Sequence, residues 1–243
     1  MLLMFPPRHP PLTPHITAHR IAVSNIAVCF RVTNDPVPFT LAILNDNARR
    51  RGSTEFGAIG GGALITPLGM LALQTVAPID FELHDDGVQH DARMTLRSEG
   101  IETRRVLALR TLIQWARLKK HQFIELDITR ELEEELVDDA PAIISRTDLM
   151  SIHSRLIGWK LGTKRQSSRG EPGVTTTPLY FCHELVFEDA RVFAKLLSDP
   201  QGRVRWIDSD EIRTTRTGKS EGVTRHGYTL FSNVFAPETV RPF

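Results

Sequence analysis

The chain has 243 residues, 41% of them hydrophobic, enough to build the core of one large domain or two small ones. Its 30 basic and 29 acidic residues leave a net charge of +1, so there is no strong overall field to attract nucleic acid or an anionic membrane, and an anionic substrate needs a local site. No run approaches the roughly 20 apolar residues of a membrane helix, and the opening MLLMFPPRHPPLTP lacks the charged and long apolar regions of a signal peptide, so a cytoplasmic protein is expected.

Residues 1–20 carry Pro6, Pro7, Pro10, Pro11 and Pro14 and read as a flexible, extended arm or an edge-packing tail. Ile21–Val32 and Phe39–Leu44 are short apolar, β-branched runs separated by NDPVP, a turn signal, and are expected to pair as antiparallel strands. Glu55–Ala63 reads as a strand ending in Gly60, Gly61 and Gly62. Three consecutive glycines give up side-chain packing, which suggests a tight bend or close approach to a ligand such as phosphate, against the plainer reading of a flexible loop. Asp86-Gly87 between partly alternating segments signals a hairpin. Ile101–Lys120 places Leu109, Leu112, Ile113 and Ala116 at helical spacing, with basic residues dense towards its end. Arg104, Arg105, Arg110, Arg117, Lys119 and Lys120 could form a phosphate-binding surface, although their spread around that helix favours a solvated face.

Beyond Pro141, Ala142–Gly158 is compatible with strand or helix, and 158–178 is a polar connection. Leu179–Phe187 and Val204–Ile207 read as strands, Ala190–Leu197 as a helical turn, Asp208–Ile212 as a helix start, and Gly222–Phe235 as holding a last strand, followed by a tail at 236–243. Cys29 and Cys182 lie in apolar strand-like runs, as buried free thiols would, with a disulfide between them left open. Strands before the glycines, a helix after them and more strands beyond give an α+β order without regular alternation.

Asp127–Asp138 (DITRELEEELVD) is the stretch around which the chain is organised, with Thr129 the better N-cap candidate and Asp127 the other. At about 100° per residue, Glu134, Glu131 and Glu135 fall roughly 40°, 100° and 140° from Arg130, while Leu132 and Leu136 point to the opposite side. Carboxylates crowded on one face repel unless a positive charge lies between them, and a divalent cation is the obvious candidate. A solvated acidic face is the alternative. Glu133 points away from the cluster.

Arg130-Glu131-Leu132-Glu133-Glu134-Glu135 matches Arg-Glu-aliphatic-any-Glu-Glu, the core of the Nudix box. EFGAIGGGA resembles the strand and Gly-Gly bend that precede that helix in the Nudix family, and Trp206–Ile212 is similar to the tryptophan-plus-acidic segment that often closes the domain. The pattern also departs from the family. At the family's spacing, Gln122 stands for a glutamate and Ala116 for a glycine, Val137 replaces the glycine of the box, and residues 64–120 lengthen the path to the helix. With His90–Met94, the basic helix and the Glu-Leu-Val ending, the chain most resembles the SMODS-associated Nudix group found beside bacterial signalling and antiviral genes.

The resemblance implies one Nudix-like domain over residues 21–235, a mixed sheet flanked by helices with 64–120 inserted before the box helix. It implies a hydrolase that cleaves a nucleoside diphosphate linked to another moiety, using Mg²⁺ or Mn²⁺ held by Glu131, Glu134 and Glu135. Arg130 would pair with and orient one of these glutamates. Gly60, Gly61 and Gly62 would bring main chain close to substrate. The alternative is a non-hydrolytic nucleotide-sensing or interaction module, favoured by the missing upstream half-motif. The ligand in either case is a nucleotide-derived small molecule, and the resemblance leaves room for a homodimer and for a partner from a bacterial defence operon. No histidine has a distinguishing context as general base. His183 and Glu184 could face the pocket or its back, and Tyr180 and Trp206 could stack on a base or simply fill core.

Overall fold

The structure is a computed structural model that describes residues 18–33, 38–45, 52, 54–76, 79–83, 90–96, 101–138, 141–163, 165–166, 174–215, 222–223, 229–231 and 233–243. The run expected to begin at Ile21 forms the central strand, β1 (Ala18–Val32), in which most residues on both faces are buried. That near-continuous apolar pattern marks a strand covered on both sides. Residues 18–20 of the expected arm belong to this strand, and residues 1–17 lie outside the described residues.

The next strands are β2 (Thr40–Leu44), β3 (Glu55–Ala58), β4 (Gly60–Gly62) and β5 (Leu64–Ile65). Helix α1 (Pro67–Gln74) is capped by the Thr66 side chain, which accepts from Gly69 N–H, and leads to β6 (Ile79–Leu83) and β7 (His90–Leu96). Then come helix α2 (Ile101–Arg117) and the acidic helix α3 (Thr129–Glu133), which continues as a π-turn over Glu134–Asp138. The remainder is α4 (Arg146–Leu149), β8 (Ile152–Leu161), β9 (Arg165–Gln166), β10 (Val174–Phe187), α5 (Ala190–Leu197), β11 (Val204–Ile207), α6 (Ser209–Thr215), β12 (Gly222–Val223), β13 (Thr229–Leu230) and β14 (Arg241–Pro242).

These elements make an α+β fold of two sheets flanked by helices. The larger sheet runs β14-β8-β10-β1-β7-β5, with β4 also on β1, β6 on β7 and β9 on β10; the smaller runs β11-β2-β3-β13-β12. β1 and β10 pair in parallel along nearly their whole length.

The expected pairing of Ile21–Val32 with Phe39–Leu44 does not form as a ladder. The two runs meet only at an isolated bridge, Phe30 with Phe39, and then diverge into different sheets. The physical reason is that both edges of β1 are already taken, one by the long parallel ladder to β10 and the other by β7 and β4 antiparallel. The hairpin of β6 and β7 forms as expected, although Asp86-Gly87 lies outside the described residues.

Residues 64–120 are integrated into the fold. β7 pairs with β1, and Leu73, Met94, Leu96, Leu109 and Leu112 share one core cluster with Ile21, Val23 and Phe181 of the central strands. A second cluster lies under the acidic helix and α5, where Leu132 and Leu136 pack with Phe30, Phe187 and Leu196. Each buried leucine contributes about 1.5–3 kcal/mol, so the apolar face of the helix holds its acidic face in place. A third cluster, with Ile26, Cys29, Phe56, Tyr180 and Phe235, includes residues of both sheets. Cys29 and Cys182 are buried free thiols. The ambiguous stretch 142–158 resolves into α4, with a Ser145–Asp148 capping box, followed by β8. In the tail, Arg241 and Pro242 pair with Trp159 and Gly158 at the sheet edge. No helix among the described residues is long and apolar enough to cross a membrane.

Candidate functional site

The chain changes sheets between Ala58, which pairs with Ala42 in the smaller sheet, and Gly60, which pairs with Ile26 in the larger. Gly60 makes this turn at φ +125°, and a Cβ there would fall 2.2 Å from the Asn25 carbonyl oxygen. The glycine triplet is thus a crossover pressed onto β1. A Cβ on Gly61 would fall 1.9 Å from Glu131 Oε2, so the missing side chain there makes room for a carboxylate of the acidic helix.

Neither Thr129 nor Asp127 is the N-cap of that helix: Ile128 holds that position without a side-chain bond, Thr129 is the first helical residue, and Asp127 Oδ1 accepts from Thr129 N–H at 2.9 Å and from Thr129 Oγ1 at 2.7 Å just before the first turn. Arg130 then sits among three carboxylates. Its Nε and Nη2 donate to the two oxygens of Glu125 at 3.1 and 2.9 Å, and its Nη1 donates to Glu134 Oε1 at 2.9 Å. Nη2 also lies 2.6 Å from Glu131 Oε1 and donates to the Gly62 carbonyl at 2.7 Å. Burial pulls the guanidinium towards deprotonation, but the bond to Glu125 and the charges around it outweigh that and hold Arg130 above its ordinary value.

Glu125 was not singled out by sequence. Counting back by family spacing reaches Gln122, whereas the bidentate partner of Arg130 is the glutamate three residues later, which also accepts from Leu64 N–H at 3.1 Å. The available signal was the five-donor fork of Arg130, which more than one carboxylate can satisfy.

Glu131 is 6% exposed. Burial pushes its carboxyl up to about 7, Arg130 opposes this, and Glu134 and Glu125 add to it. Between the ordinary 4.5 and about 7, the folded protein holds a proton there that the unfolded chain has released. This contribution to stability is therefore complete below about pH 4.5 and is lost as pH rises through about 7. Thermal unfolding of Glu131→Gln against the parent from pH 4 to 8 checks this: the variant is expected to have a flatter profile, and an unchanged slope would contradict the assignment.

Glu134, half exposed, and Glu135, whose Oε2 accepts from Gly60 N–H at 2.8 Å, both line a cleft of about 470 Å³. Its walls include Ser24 of β1, Tyr180 of β10, Ile43, Leu44, Gly57 and Ala58 of the smaller sheet, and Asn45, Arg203, Phe231 and Asn233. Tyr180, Asn45, Arg203 and Asn233 are further residues of this cleft, and only the tyrosine was weighed as a base-stacking candidate. Arg203 is 3% exposed and paired with Asp199, whose side chain is covered, through two side-chain hydrogen bonds at 3.1 and 3.2 Å.

The structure thus brings together Arg130, Glu131, Glu134, Glu135, Gly60, Gly61 and Gly62. Of the three glycines, Gly60 lines the cleft. Glu133 instead pairs with Arg146 at 2.9 Å. Trp206 is 59% exposed and packs edge-on to Phe39, beside a separate depression with Asp208 and Pro237. His183 is 1% exposed beneath the segment leading to the helix; its Nε2 lies 3.2 Å from Asn25 Oδ1, and Asn25 Nδ2 donates to the Glu125 carbonyl at 3.2 Å. With the Asn25 amide so oriented, Nε2 is the protonated nitrogen of a neutral ring, and burial pulls His183 down to about 4, with Asp127 opposing. Glu184 meets Arg31 and Arg155 at 3.2 and 2.6 Å, away from the acidic helix.

Among the described residues, no group of three or more His, Cys, Asp or Glu side chains converges closely enough to hold a metal ion. The carboxylates lie side by side, with Arg130 between Glu131 and Glu134. Comparisons with protein-family models, curated proteins and solved structures gave no match.

Proposed function

We propose that this chain is a Nudix-type hydrolase that cleaves a nucleoside diphosphate linked to another moiety, with Mg²⁺ or Mn²⁺ as cofactor. The observation that carries this reading is that Glu134 and Glu135 line the cleft with Tyr180 and Asn233, so two of the carboxylates border a space of ligand size. A purely solvated acidic face would not need the Gly60 amide on Glu135 or the space that Gly61 leaves for Glu131.

The donor set fits the cation in kind. Mg²⁺ and Mn²⁺ take hard oxygens, and Mg²⁺ is held through one or two carboxylates together with substrate phosphates, so a closed protein cage is not required. Glu134 and Glu135, the two that border the cleft, would hold the ion, which when bound would polarise a phosphoryl oxygen and lower the pKa of an attacking water, while Glu131 is paired with Arg130. Arg130, fixed by Glu125, holds Glu131 and Glu134 in register, and Gly60 N–H fixes Glu135. The cleft walls position the nucleoside, so the pyrophosphate is delivered to the carboxylates in a fixed orientation.

A panel of nucleoside diphosphate derivatives, with and without Mg²⁺ or Mn²⁺, tests the reading. Cleavage is expected only with metal, and Glu134→Gln is expected to lower it roughly 10²–10³-fold, the scale of losing one preorganised electrostatic contact. Because Glu134 is half exposed, unfolding of that variant is expected to shift by less than about 1 kcal/mol. No turnover on any member sinks the hydrolase. The second reading, a nucleotide-sensing module that binds without cleaving, draws on Arg130 already lying between Glu131 and Glu134; binding without product decides for it.

A further inference from the structure

Resting on the nucleotide-cleft reading, we infer that Asn233 selects the base, favouring one that presents a carbonyl oxygen over one that presents an amino group. Asn233 Oδ1 accepts from Ala58 N–H at 3.2 Å. A main-chain N–H can only donate, so this bond decides which way the amide faces, and the NH₂ group is the end left over. Nδ2 has no hydrogen-bond acceptor among the described residues, and Asn233 lines the cleft. The amide therefore offers the cleft a donor.

Gly57 helps to keep that donor uncovered. A Cβ there would meet Asn233 Oδ1 at 3.5 Å, Phe231 Cδ2 at 3.6 Å and Asn233 Nδ2 at 3.7 Å, ordinary contacts, so a residue larger than alanine would pack against the amide and the ring. Phe231 adds a half-buried aromatic ring to the same cleft, a surface on which a base can stack with little regard to its edge groups, while Tyr180 borders the cleft but is 4% exposed and packed against Phe235. Discrimination then falls to polar groups. The main-chain anchors of the two ligand-directed groups, Ala58 for Asn233 and Gly60 for Glu135, are two residues apart, at most about 7 Å. One nucleotide can therefore meet the amide with its base and the carboxylates with its phosphates.

Inosine and adenosine 5′-diphosphates isolate the contact, because their bases differ in carrying an oxo or an amino group at one position, with the accompanying ring proton. The amide donor can bond the oxo group, whereas against the amino group it faces another donor and stays unpaired. The parent chain is expected to bind the inosine nucleotide about tenfold more tightly, the lower part of the range for a polar group left unsatisfied, because Asn233 is only half buried. Asn233→Asp keeps an oxygen for Ala58 N–H and turns an acceptor to the cleft. Its added charge weakens both nucleotides, so the ratio is read, and that ratio is expected to invert in favour of adenosine. Asn233→Ala is expected to bring the ratio close to one.

Calorimetric titration of the parent and both variants with the two diphosphates, in the presence of Mn²⁺, makes the measurement. Binding of both nucleotides to the parent with equal affinity, or a preference for adenosine, overturns the role of Asn233 and leaves the cleft as a nucleotide site. Binding of neither overturns the nucleotide-cleft reading and this inference with it. The parent ratio needs no variant, so a substitution that fails to fold does not remove the test.

Discussion

Gly60→Ala is expected to destabilise the whole fold, by about 1–3 kcal/mol for forcing a side chain into a sparsely allowed backbone region and about 1–3 kcal/mol more for overpacking. The reason is a backbone clash: the new Cβ would lie 2.2 Å from the Asn25 carbonyl oxygen and 2.9 Å from Ile26 Cα, in the middle of the central strand. Neither can move without opening the larger sheet. Gly61→Ala is expected to act differently, because its Cβ meets the carboxylate end of Glu131 at 1.9 Å. A side chain can swing where a strand cannot, so this variant is expected to stay folded at a cost of about 1–3 kcal/mol while losing the proposed metal-dependent cleavage. Denaturant unfolding and turnover, measured on both variants, separate the two cases. A Gly61→Ala variant with full activity would show that Glu131 does not need its present place.

Replacing Arg130 by glutamine is expected to cost about 2–3 kcal/mol of stability, less than the full 3–5 kcal/mol of breaking a wholly buried pair because its side chain is 26% exposed. The loss would fall on Glu125, Glu131 and Glu134 together, since one guanidinium serves all three. Arg130→Lys is not expected to rescue it, because an ammonium lacks the fork that reaches both oxygens of Glu125 while also meeting Glu134 and the Gly62 carbonyl. Added Mn²⁺ offers a second check. If a cation can take over the neutralisation of Glu131 and Glu134, the midpoint of the Arg130→Gln variant rises more with Mn²⁺ than that of the parent. Equal rises would mean that Arg130 and the cation do not share those carboxylates.

Much of this site was legible in the chain's local pattern, and the part that was not has a common cause. Helical periodicity alone separates Glu131, Glu134 and Glu135 from Leu132 and Leu136, and the leucines are buried as that pattern requires. Apolar and β-branched composition located the central strands and β11, and a turn signal between partly alternating segments located the β6–β7 hairpin, because those features are local to each strand. Asp189 before α5 and Asp208 before α6 are local signals of the same kind, since each carboxylate accepts from main chain in the first turn of the helix it precedes.

The partners across space were set by tertiary structure. β1 chose β10, more than a hundred residues away, over the nearby β2, because a long parallel ladder buried on both faces outcompetes a short hairpin, and no local pattern encodes that contest. The glycine triplet announced a close approach, but only the crossover between sheets shows that what approaches is β1 and Glu131. Glu125 became the partner of Arg130 because Ile124 bridges to Ile65 beside the crossover, which carries that carboxylate to the guanidinium. Tyr180, Asn233 and Glu135 meet in one cleft although they lie on distant segments. The sequence by itself therefore determined which faces are apolar and which side chains carry charge, since those properties repeat within a few residues; which of those faces enclose a site was decided only when strands far apart in the chain were paired.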